Sequence, residues 1–491
     1  MKRSALTSGS KPSTILMLLA LIVGAIAAIL DTTIVAIGMR TLTVELRAPL
    51  TTIQWVSTGY LLSLAVTIPF VGWAQARIGG KRLWILALGL FVLGSALCGI
   101  AWNAQALIGF RLLQGIGGGI MLPLMQTLAM QHVPAELRAR VMAAVSLPAA
   151  LGPILGPVLG GMVLNWFSWR WMFLINVPIG VVGLVLAALF LVDDRANLPE
   201  NPGRLDLVGA VLLTPALAGI LFGLSNTHNP GGFARPDVLV PGVGGLVLLA
   251  AFAWWAHRRS DRALVDVSLL KVPTVRSSTI TLTFLGVALF AGTFLLPLYF
   301  QSVQGYSVLA AGVILIPQGV GTLLSRVVAG HLVERLGARL VAVAGFLVIA
   351  AATVPFAWSG TDTNLWLLGS VLFVRGLGLG VVFIPVMTAA YLDIGREQMP
   401  QASAITRIVQ QLGGAFGTAL VAVVLTGVMT VKDSGAGFAA AFWVTIGATL
   451  LAALPALLLP GRTRPEPVHE DRQQHLRSAV KLVKNGLHRA R

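Results

Sequence analysis

Long apolar segments alternate with short polar loops along most of the chain. A helix needs about 20 mostly apolar residues to cross the hydrocarbon core of a membrane, and fourteen segments meet that requirement. They are predicted at 14–36, 51–73, 82–102, 104–127, 139–164, 169–192, 205–227, 238–258, 276–301, 309–330, 340–358, 364–391, 400–427 and 437–461. A transmembrane barrel would show alternating strands of about ten residues instead. The pattern therefore predicts an all-α polytopic membrane protein.

Two distant loops resemble each other in sequence, which indicates an internal repeat. Residues 72–81 read GWAQARIGGK, and residues 330–339 read GHLVERLGAR. A later span in each half begins a glycine-rich stretch with an arginine, Arg111 and then Arg375. We expect two six-helix bundles with a binding site at their interface. The loops are interpreted as cytoplasmic gates, with functional positions at Gly72, Arg77, Gly79, Lys81, Gly330, Glu334, Arg335, Gly337 and Arg339.

The repeat divides the chain into five predicted parts. These are a cytoplasmic segment 1–13, an N-terminal bundle 14–192, a linker 193–275 with two additional helices, a C-terminal bundle 276–461 and a basic tail 462–491. Apolar residues of the tail recur at helical spacing among basic ones. Two readings of the tail stay open: a helix lying on the anionic inner leaflet, and a disordered segment.

The composition and the placement of charge support a membrane location. Of 491 residues, 56% are hydrophobic and 11% are charged, which is too apolar for a soluble domain and too poor in charge for a disordered chain. The net charge is +17, but most Lys and Arg fall on the side of both termini, whereas Arg40, Arg47, Arg235 and Lys432 fall on the other. This asymmetry predicts cytoplasmic termini in a bacterial inner membrane, and it leaves no basic patch for nucleic acid.

Tryptophan placement agrees with the predicted topology. Six tryptophans fall at predicted outer helix ends, where an interfacial aromatic belt is expected: Trp102, Trp166, Trp169, Trp171, Trp358 and Trp366. The single cysteine, Cys98, lies within a span and has no partner for a disulfide within the chain.

Asp31 is the acid that the topology places deep in the hydrocarbon region. The other Asp and Glu among the 18 in the chain fall in loops or near helix ends. An ionised carboxylate is costly in the membrane, so we expect Asp31 to bind a proton under physiological conditions and to carry it in transport. The alternative is a structural acid hydrogen-bonded to Thr32 or Thr33.

Four arginines also fall away from the ends of the predicted spans or within a few residues of them, where a charge needs explaining: Arg111, Arg326, Arg375 and Arg407. Arg111 in the fourth span costs about 2.5 to 3.5 kcal/mol on insertion scales, so it needs a partner, and the alternative to a role beside Asp31 is a bond to backbone carbonyls. Arg375 is its counterpart in the second half. Arg326 lies about one turn before the second gate loop and is expected to extend to the cytoplasm. For Arg407 the sequence favours no single partner.

Several ordered motifs resemble the fourteen-span drug/proton antiporters of the major facilitator superfamily, the EmrB/QacA-like branch. LDTTIV begins at Leu30, GPILGPVLGG at Gly152 and WRWMFLINVPIG at Trp169. Similar motifs in the second half extend the resemblance over about residues 14 to 461. It implies proton-driven export, with Asp31 coupling through Arg111 and Arg375, and no cofactor beyond the proton gradient. The antiporter motif, Gly152, Pro153, Gly156, Pro157, Gly160 and Gly161, argues against uptake and is expected to pack tightly against the opposite half.

Ala76 departs from the family pattern. It stands where the gate loop usually has an acid, which can pair with nearby arginine and favour a helix N-terminus. We therefore expect the cytoplasmic gate of the first half to differ from that of relatives, although the second copy keeps Glu334.

Three functions remain to be distinguished. The first is export of lipophilic, often cationic drugs, with a cavity lined by Trp55, Tyr60, Gln114, Met121, Met125, Phe294, Tyr299 and Gln318. The second is export of an endogenous metabolite or a self-made antibiotic. The third is a membrane sensor or enzyme on a transporter scaffold, although enzyme and metal motifs are absent from the sequence, so an enzyme is not expected. In a cell with two membranes, a periplasmic adaptor would be a further partner.

Overall fold

A computed structural model describes residues 14–131, 133, 137–194, 204–228, 231–259, 263–360, 363–429 and 434–461. Within these ranges all regular structure is helical, which confirms the all-α prediction. Thirteen of the described helices are long and apolar enough to cross a membrane. The predicted segment 1–13, the tail 462–491 and much of the first connecting loop, 195–203, lie outside the described residues.

The N-terminal half carries the first repeat. Its α-helices are α1 Thr14–Ile37, α2 Met39–Glu45, α3 Leu50–Thr67, α4 Val71–Ile78, α5 Gly80–Gly99, α6 Ala104–Gln131, α7 Arg138–Val145, α8 Leu147–Trp166, α9 Trp171–Leu174 and α10 Asn176–Phe190. Helix α1 packs against α8 and α10, and α6 packs between α3 and α5. The core of this half therefore forms around α1, α5 and α6.

The predicted fifth span is two consecutive helices, α7 and α8. They meet at Ser146, whose hydroxyl donates to the Ala143 carbonyl at 2.8 Å. Pro148 follows within the first turn of α8. Because proline has no backbone N–H, it cannot continue the helical hydrogen bonds of α7. Beyond this break α8 stays helical through both Gly-Pro steps.

The second half follows two linking helices. The remaining α-helices are α11 Leu207–Ser225, α12 Pro236–Arg259, α13 Pro273–Ser302, α14 Val308–Ile314, α15 Ile316–Leu336, α16 Ala338–Trp358, α17 Leu365–Ala389, α18 Met399–Met429 and α19 Ser434–Ala456. Short 3-10 helices occur at Ile68–Phe70, Asn226–His228, Gly232–Ala234, Val267–Lys271 and Arg396–Gln398. Helices α11 and α12 pack on each other, and α11 also contacts α3 and α18.

The two predicted gate loops are mostly helical, which corrects the sequence interpretation. Residues from Gly72 onward belong to α4, and those from Gly330 onward belong to the end of α15. Each helix ends at a glycine with nearly the same backbone angles: Gly79 at φ 85° and ψ 154°, and Gly337 at φ 84° and ψ 156°. These angles disfavour a side chain, so both copies end in the same type of glycine turn.

The predicted tryptophan belt needs one correction. Trp102, Trp166, Trp171, Trp358 and Trp366 are exposed, as residues of a membrane interface would be. Trp169 is buried instead. It packs edge-on against Phe173 at 6.2 Å between ring centroids, beneath the guanidinium of Arg170.

Candidate functional site

Asp31 is fully buried inside the N-terminal half. It lies about 25 Å along α1 from Thr14, at about 1.5 Å per residue. Among the described residues it is the one buried acid. A buried charge is tolerated when it is paired and hydrogen-bonded, and the surroundings of Asp31 meet both conditions.

The carboxylate of Asp31 is held by one cation and two amides. Arg111 of α6 forms an ion pair with Oδ2 of Asp31. Gln114 donates from Nε2 to Oδ1 at 3.1 Å, and Asn176 of α10 donates from Nδ2 to the same atom at 2.9 Å. Both amides also donate to the Ser95 hydroxyl of α5, at 2.5 and 3.3 Å. Four helices thus contribute to one buried polar network.

Arg111 is positioned by contacts besides the acid. Its Nε donates to the Val56 carbonyl at 2.9 Å, and its Nη1 donates to Oε1 of Gln114 at 2.7 Å. The guanidinium carbon lies 4.0 Å from the ring centroid of Tyr60 and 5.6 Å from that of Phe173. Because these contacts do not depend on Asp31, Arg111 can keep its place when the acid is protonated.

The hydrogen bonds of Thr32 and Thr33 go to backbone carbonyls instead of Asp31. Thr32 donates to the Ile29 carbonyl at 2.7 Å, and Thr33 donates to the Leu30 carbonyl at 2.9 Å. Both threonines therefore bond to the backbone of α1, and the acid takes its partners from other helices.

Asn176 and Ser95 belong to the site although the sequence did not lead us to predict them there. Asn176 is fully buried and begins α10, within the WRWMFLINVPIG stretch. A polar amide in an apolar span signals a buried partner, and that signal was available from the sequence. Ser95 gave little signal, because a serine can satisfy its hydroxyl within its own helix.

Gly94 allows α5 and α6 to approach closely beside the site. A Cβ at this position would lie 2.7 Å from the Cα of Gln114, closer than carbon atoms pack. The glycine therefore places the Gln114 backbone, and with it the amide that donates to Asp31.

Gly94→Ala is expected to lower the free energy of unfolding by about 1–3 kcal/mol, because overpacking forces the helices apart. Thermal unfolding in detergent would measure the loss. Gly89→Ala is the matched control, since that glycine lies on the same helix with nothing within 4 Å of an added Cβ; it should be neutral or slightly stabilising. Equal melting temperatures for the two variants would contradict the packing role of Gly94.

The predicted antiporter motif packs mainly against its own half. Added Cβ atoms at Gly152 and Gly156 would strike Ile29 and Thr33 of α1, on either side of Asp31 in sequence. A Cβ at Gly161 would lie 3.1 Å from Leu309 of the opposite half. Gly160 is buried, and the side chains of Pro153 and Pro157 are outside the described set. Helix α8 therefore connects the Asp31 helix to α14.

Arg375, the counterpart of Arg111, is buried, and none of the described acids pairs with it. Its Nη1 donates to Oε1 of Gln318 at 2.7 Å, and its Nε donates to the Thr353 hydroxyl at 3.2 Å. Its Nη2 has no hydrogen-bond partner and lies against Gly292 of α13. The two halves thus present the same arginine in different chemical settings.

The predicted cavity residues do not form one group in this structure. Tyr60 and Gln114 belong to the Asp31 network, Gln318 holds Arg375, and Met121 and Met125 are buried in α6. Tyr299 is buried among Phe300, Phe356, Phe438 and Phe442, and Phe294 packs against the same cluster. Trp55 is exposed and stacks near Phe222 of α11. Their contact with substrate stays a prediction.

The halves are joined by hydrogen bonds at the predicted cytoplasmic end. Arg138 donates to the Tyr391 carbonyl at 2.8 Å, and Ser403 donates to the Pro123 carbonyl at 2.9 Å. Glu334 of the second gate pairs with Arg140 at 3.2 Å. This pair is half-exposed and worth at most about 1 kcal/mol, so the bonds to the carbonyls of Tyr391 and Pro123 supply much of the closure.

Around Ala76, side-chain amides make the hydrogen bonds of the gate. The acid that the gate loop lacks is supplied by Asp194. Gln75 donates to Gln131 at 3.0 Å, and Gln131 donates to the Arg396 carbonyl of the other half at 3.1 Å. Asp194, after α10, accepts from the backbone N–H of Gly80 at 2.7 Å. This carboxylate occupies the N-terminus of α5, where negative charge is favoured.

The other predicted gate positions also make specific contacts. Lys81 donates to the Ala188 carbonyl at 2.8 Å, and Arg339 donates from Nε to the Leu459 carbonyl at 3.0 Å. Arg77 lies over the Trp73 ring at 5.8 Å. Gly72 approaches Gln401 of α18, and Arg335 is exposed. In the part of the chain that the structure describes, no cluster of His, Cys, Asp or Glu could hold a metal ion.

Comparison with known proteins agrees with this arrangement. The family model described as Major Facilitator Superfamily matches residues 19–418. A protein of Mycobacterium tuberculosis named multidrug resistance protein B homolog is 36% identical over 407 residues, which is 82% of this chain and 75% of that protein. The putative multidrug resistance protein MdtD of Serratia proteamaculans is 32% identical over 432 residues, covering 87% and 89%.

Solved structures show the same fold at low identity. The proton:xylose symporter XylE aligns with a TM-score of 0.65 and 15% identity, covering 90% of this chain and 94% of that one. The human organic anion transporter MFSD10 aligns with a TM-score of 0.64 and 15% identity, covering 91% and 100%.

Proposed function

The chain belongs to the Major Facilitator Superfamily, and we propose that it exports lipophilic compounds across the cytoplasmic membrane in exchange for protons. The single observation that carries this proposal is the buried ion pair of Asp31 and Arg111 within membrane-spanning helices. Intramembrane acids of this kind mark proton pathways. Relatives named for multidrug resistance support drugs or antibiotics as the exported class.

Protonation of Asp31 changes the charge of its network. With Asp31 ionised, the pair with Arg111 is neutral. A proton on the carboxylate leaves the guanidinium as an uncompensated cation, still held by Val56 and stacked on Tyr60. The two protonation states therefore differ by one charge inside a low-dielectric bundle, where such a difference is large.

Helix α8 can transmit the effect of Asp31 protonation to the interface between the halves. Gly152 and Gly156 fit this helix closely against the Asp31 segment of α1, and Gly161 of the same helix contacts Leu309 across the interface. Movement of α1 would displace α8 relative to the second half. Alternating access by rocking of two bundles is the established mode of this fold.

Both termini are proposed to be cytoplasmic, as the charge asymmetry favours. Asp31 then lies toward the outer face, and the hydrogen bonds joining the halves lie toward the cytoplasm. In this arrangement the inner side is closed, and a proton would reach the acid from outside.

Purified protein in liposomes would test the proposal. The protein is oriented inside-out, and the lumen is made more acidic than the outer solution. At least one lipophilic compound from a panel of cationic, neutral and acidic drugs is then expected to accumulate while protons leave, and nigericin should abolish both fluxes because it collapses the gradient. Protein-free liposomes are the control. Accumulation that persists after nigericin, with no proton flux, would exclude proton exchange. An absence of flux for a panel of cationic, neutral and acidic drugs would favour the second candidate, an endogenous metabolite.

A further inference from the structure

Arg326 and Arg407 form a second cationic site, separate from Asp31. Arg326 is buried in α15, and its guanidinium lies over the Phe383 ring at 5.1 Å. Arg407 on α18 is partly buried. Both guanidinium groups reach from the second half to acceptors on the first half, and the charge of Arg407 opposes that of Arg326. Burial of Arg326 corrects the expectation that it extends to the cytoplasm.

Both arginines face the interface between the halves and bind neutral acceptors there. Arg326 donates from Nη1 to the Ser146 carbonyl, at the junction of α7 and α8. Arg407 donates from Nε to Oε1 of Gln126 on α6 at 3.3 Å, and from Nη1 to Gln410 at 3.2 Å. The Nε of Arg326 is buried without a hydrogen-bond partner. Neither arginine is paired with an acid of the described ranges.

The missing counter-charge is costly. One arginine within a span costs about 2.5 to 3.5 kcal/mol on insertion scales, and two neighbouring ones add repulsion. Within the bounds of helices α13 to α19 there is one acid, Glu334, and it lies at the cytoplasmic end of α15. Asp31 cannot relieve the charge, because Arg111 already engages it.

We propose that Arg326 and Arg407 bind the acidic group of the exported compound, a carboxylate or sulfonate on a lipophilic body. When the halves separate on the cytoplasmic side, Ser146 and Gln126 move away and both guanidinium groups lose these acceptors. An anion entering from the cytoplasm restores the hydrogen bonds and neutralises the repulsion, since guanidinium matches a carboxylate with two parallel bonds. Phe383 offers an apolar surface beside the charge. This inference rests on the proposed export function and specifies its substrate class.

Binding of charge-matched probes would test the assignment. The probes are pyrenebutyrate, neutral pyrenebutanol and a pyrenebutyl trimethylammonium salt, with energy transfer from protein tryptophan as the readout. The full chain is placed in phosphatidylcholine nanodiscs, and empty nanodiscs correct for partition into lipid. We expect pyrenebutyrate to bind about ten times more tightly than pyrenebutanol, which is the effect of one charge-assisted hydrogen bond.

Substitutions then locate that preference. Arg326→Gln and Arg407→Gln should each remove most of it, whereas Arg326→Lys and Arg407→Lys should keep part of it and show that the fold is intact. Arg276→Gln, at an exposed arginine on α13 of the same half, should leave it unchanged. Equal binding of acid and alcohol by the wild type, or an acid preference that survives both Gln substitutions, would overturn the proposal.

Two further arms separate substrate recognition at this site from lipid binding and from the Asp31 network. Added phosphatidylglycerol should not compete with pyrenebutyrate; full competition would assign the site to a lipid phosphate and overturn the substrate assignment. Asp31→Asn should retain the acid preference, because Asp31 is not part of this site. Proton exchange without acid preference would leave the export function standing and remove only the present inference.

Discussion

Asp31→Asn is expected to reduce proton-driven accumulation of substrate by about a hundredfold, the upper range for coupling between two binding sites. Asparagine keeps the size of the side chain but cannot take up or release a proton. Downhill exchange of substrate should continue, because the substrate path and the gates are unchanged. Accumulation and counterflow measured in the same proteoliposomes would show the difference.

Asp206→Asn provides a matched control for that substitution. Asp206 is also an acid with several donors: it caps α11 through Gly209 at 2.9 Å and accepts from Trp255 at 3.1 Å. Its loss should lower stability without affecting coupling. If Asp31→Asn still accumulates substrate against a gradient, Asp31 is not the proton carrier.

Arg111→Gln is expected to lower the free energy of unfolding by about 3–5 kcal/mol, because it leaves the buried Asp31 without its counter-charge. The double variant Asp31→Asn with Arg111→Gln should recover most of this loss, since it removes both charges, and it should remain uncoupled. Thermal unfolding reports the stability and proteoliposome transport reports the coupling. Recovered stability in the double variant would indicate that Arg111 acts through its charge, whereas a lasting loss would indicate a role in packing.

Arg375→Gln is the control from the second half. Arg375 has neutral partners, Gln318 and Thr353, so its removal leaves no unpaired acid and should cost less than about 2 kcal/mol. A loss as large as that of Arg111→Gln would contradict the view that the ion pair distinguishes the first half. Failure of the double variant to regain stability would show that Arg111 acts mainly through Val56 and Tyr60.

Much of the fold follows from the sequence, because membrane spans must be long and apolar. The repeated gate segments and the pair of Arg111 and Arg375 also predict two related halves. The break at Ser146 does not follow from the sequence. Apart from Arg140 and Ser146 the span 139–164 is apolar, and Pro148 does not by itself distinguish a helix start from a kink. The assignment of the gate segments to loops was wrong, because their polar residues resemble loop composition although they continue the helices.

The site could be predicted in part. Asp31 and Arg111 stand out because each is expensive in a membrane. The sequence left the partner of Arg111 open, and in the structure the two form an ion pair. Asn176 joins them from α10, a contact between residues far apart in the chain that no spacing rule supplies. The predicted direction of Arg326 was wrong, because its distance from the helix end allowed exposure while the packing against α7 and α8 buried it.

The matching turns at Gly79 and Gly337 have a consequence for how the molecule diversified. Their backbone angles agree within a few degrees, while the side chains around them differ, with Ala76 in one copy and Glu334 in the other. A duplicated unit can hold its architecture through such glycines while each copy specialises. Here one copy holds the buried acid Asp31 beside Arg111, whereas the buried Arg326 and Arg375 of the other copy pair with none of the described acids.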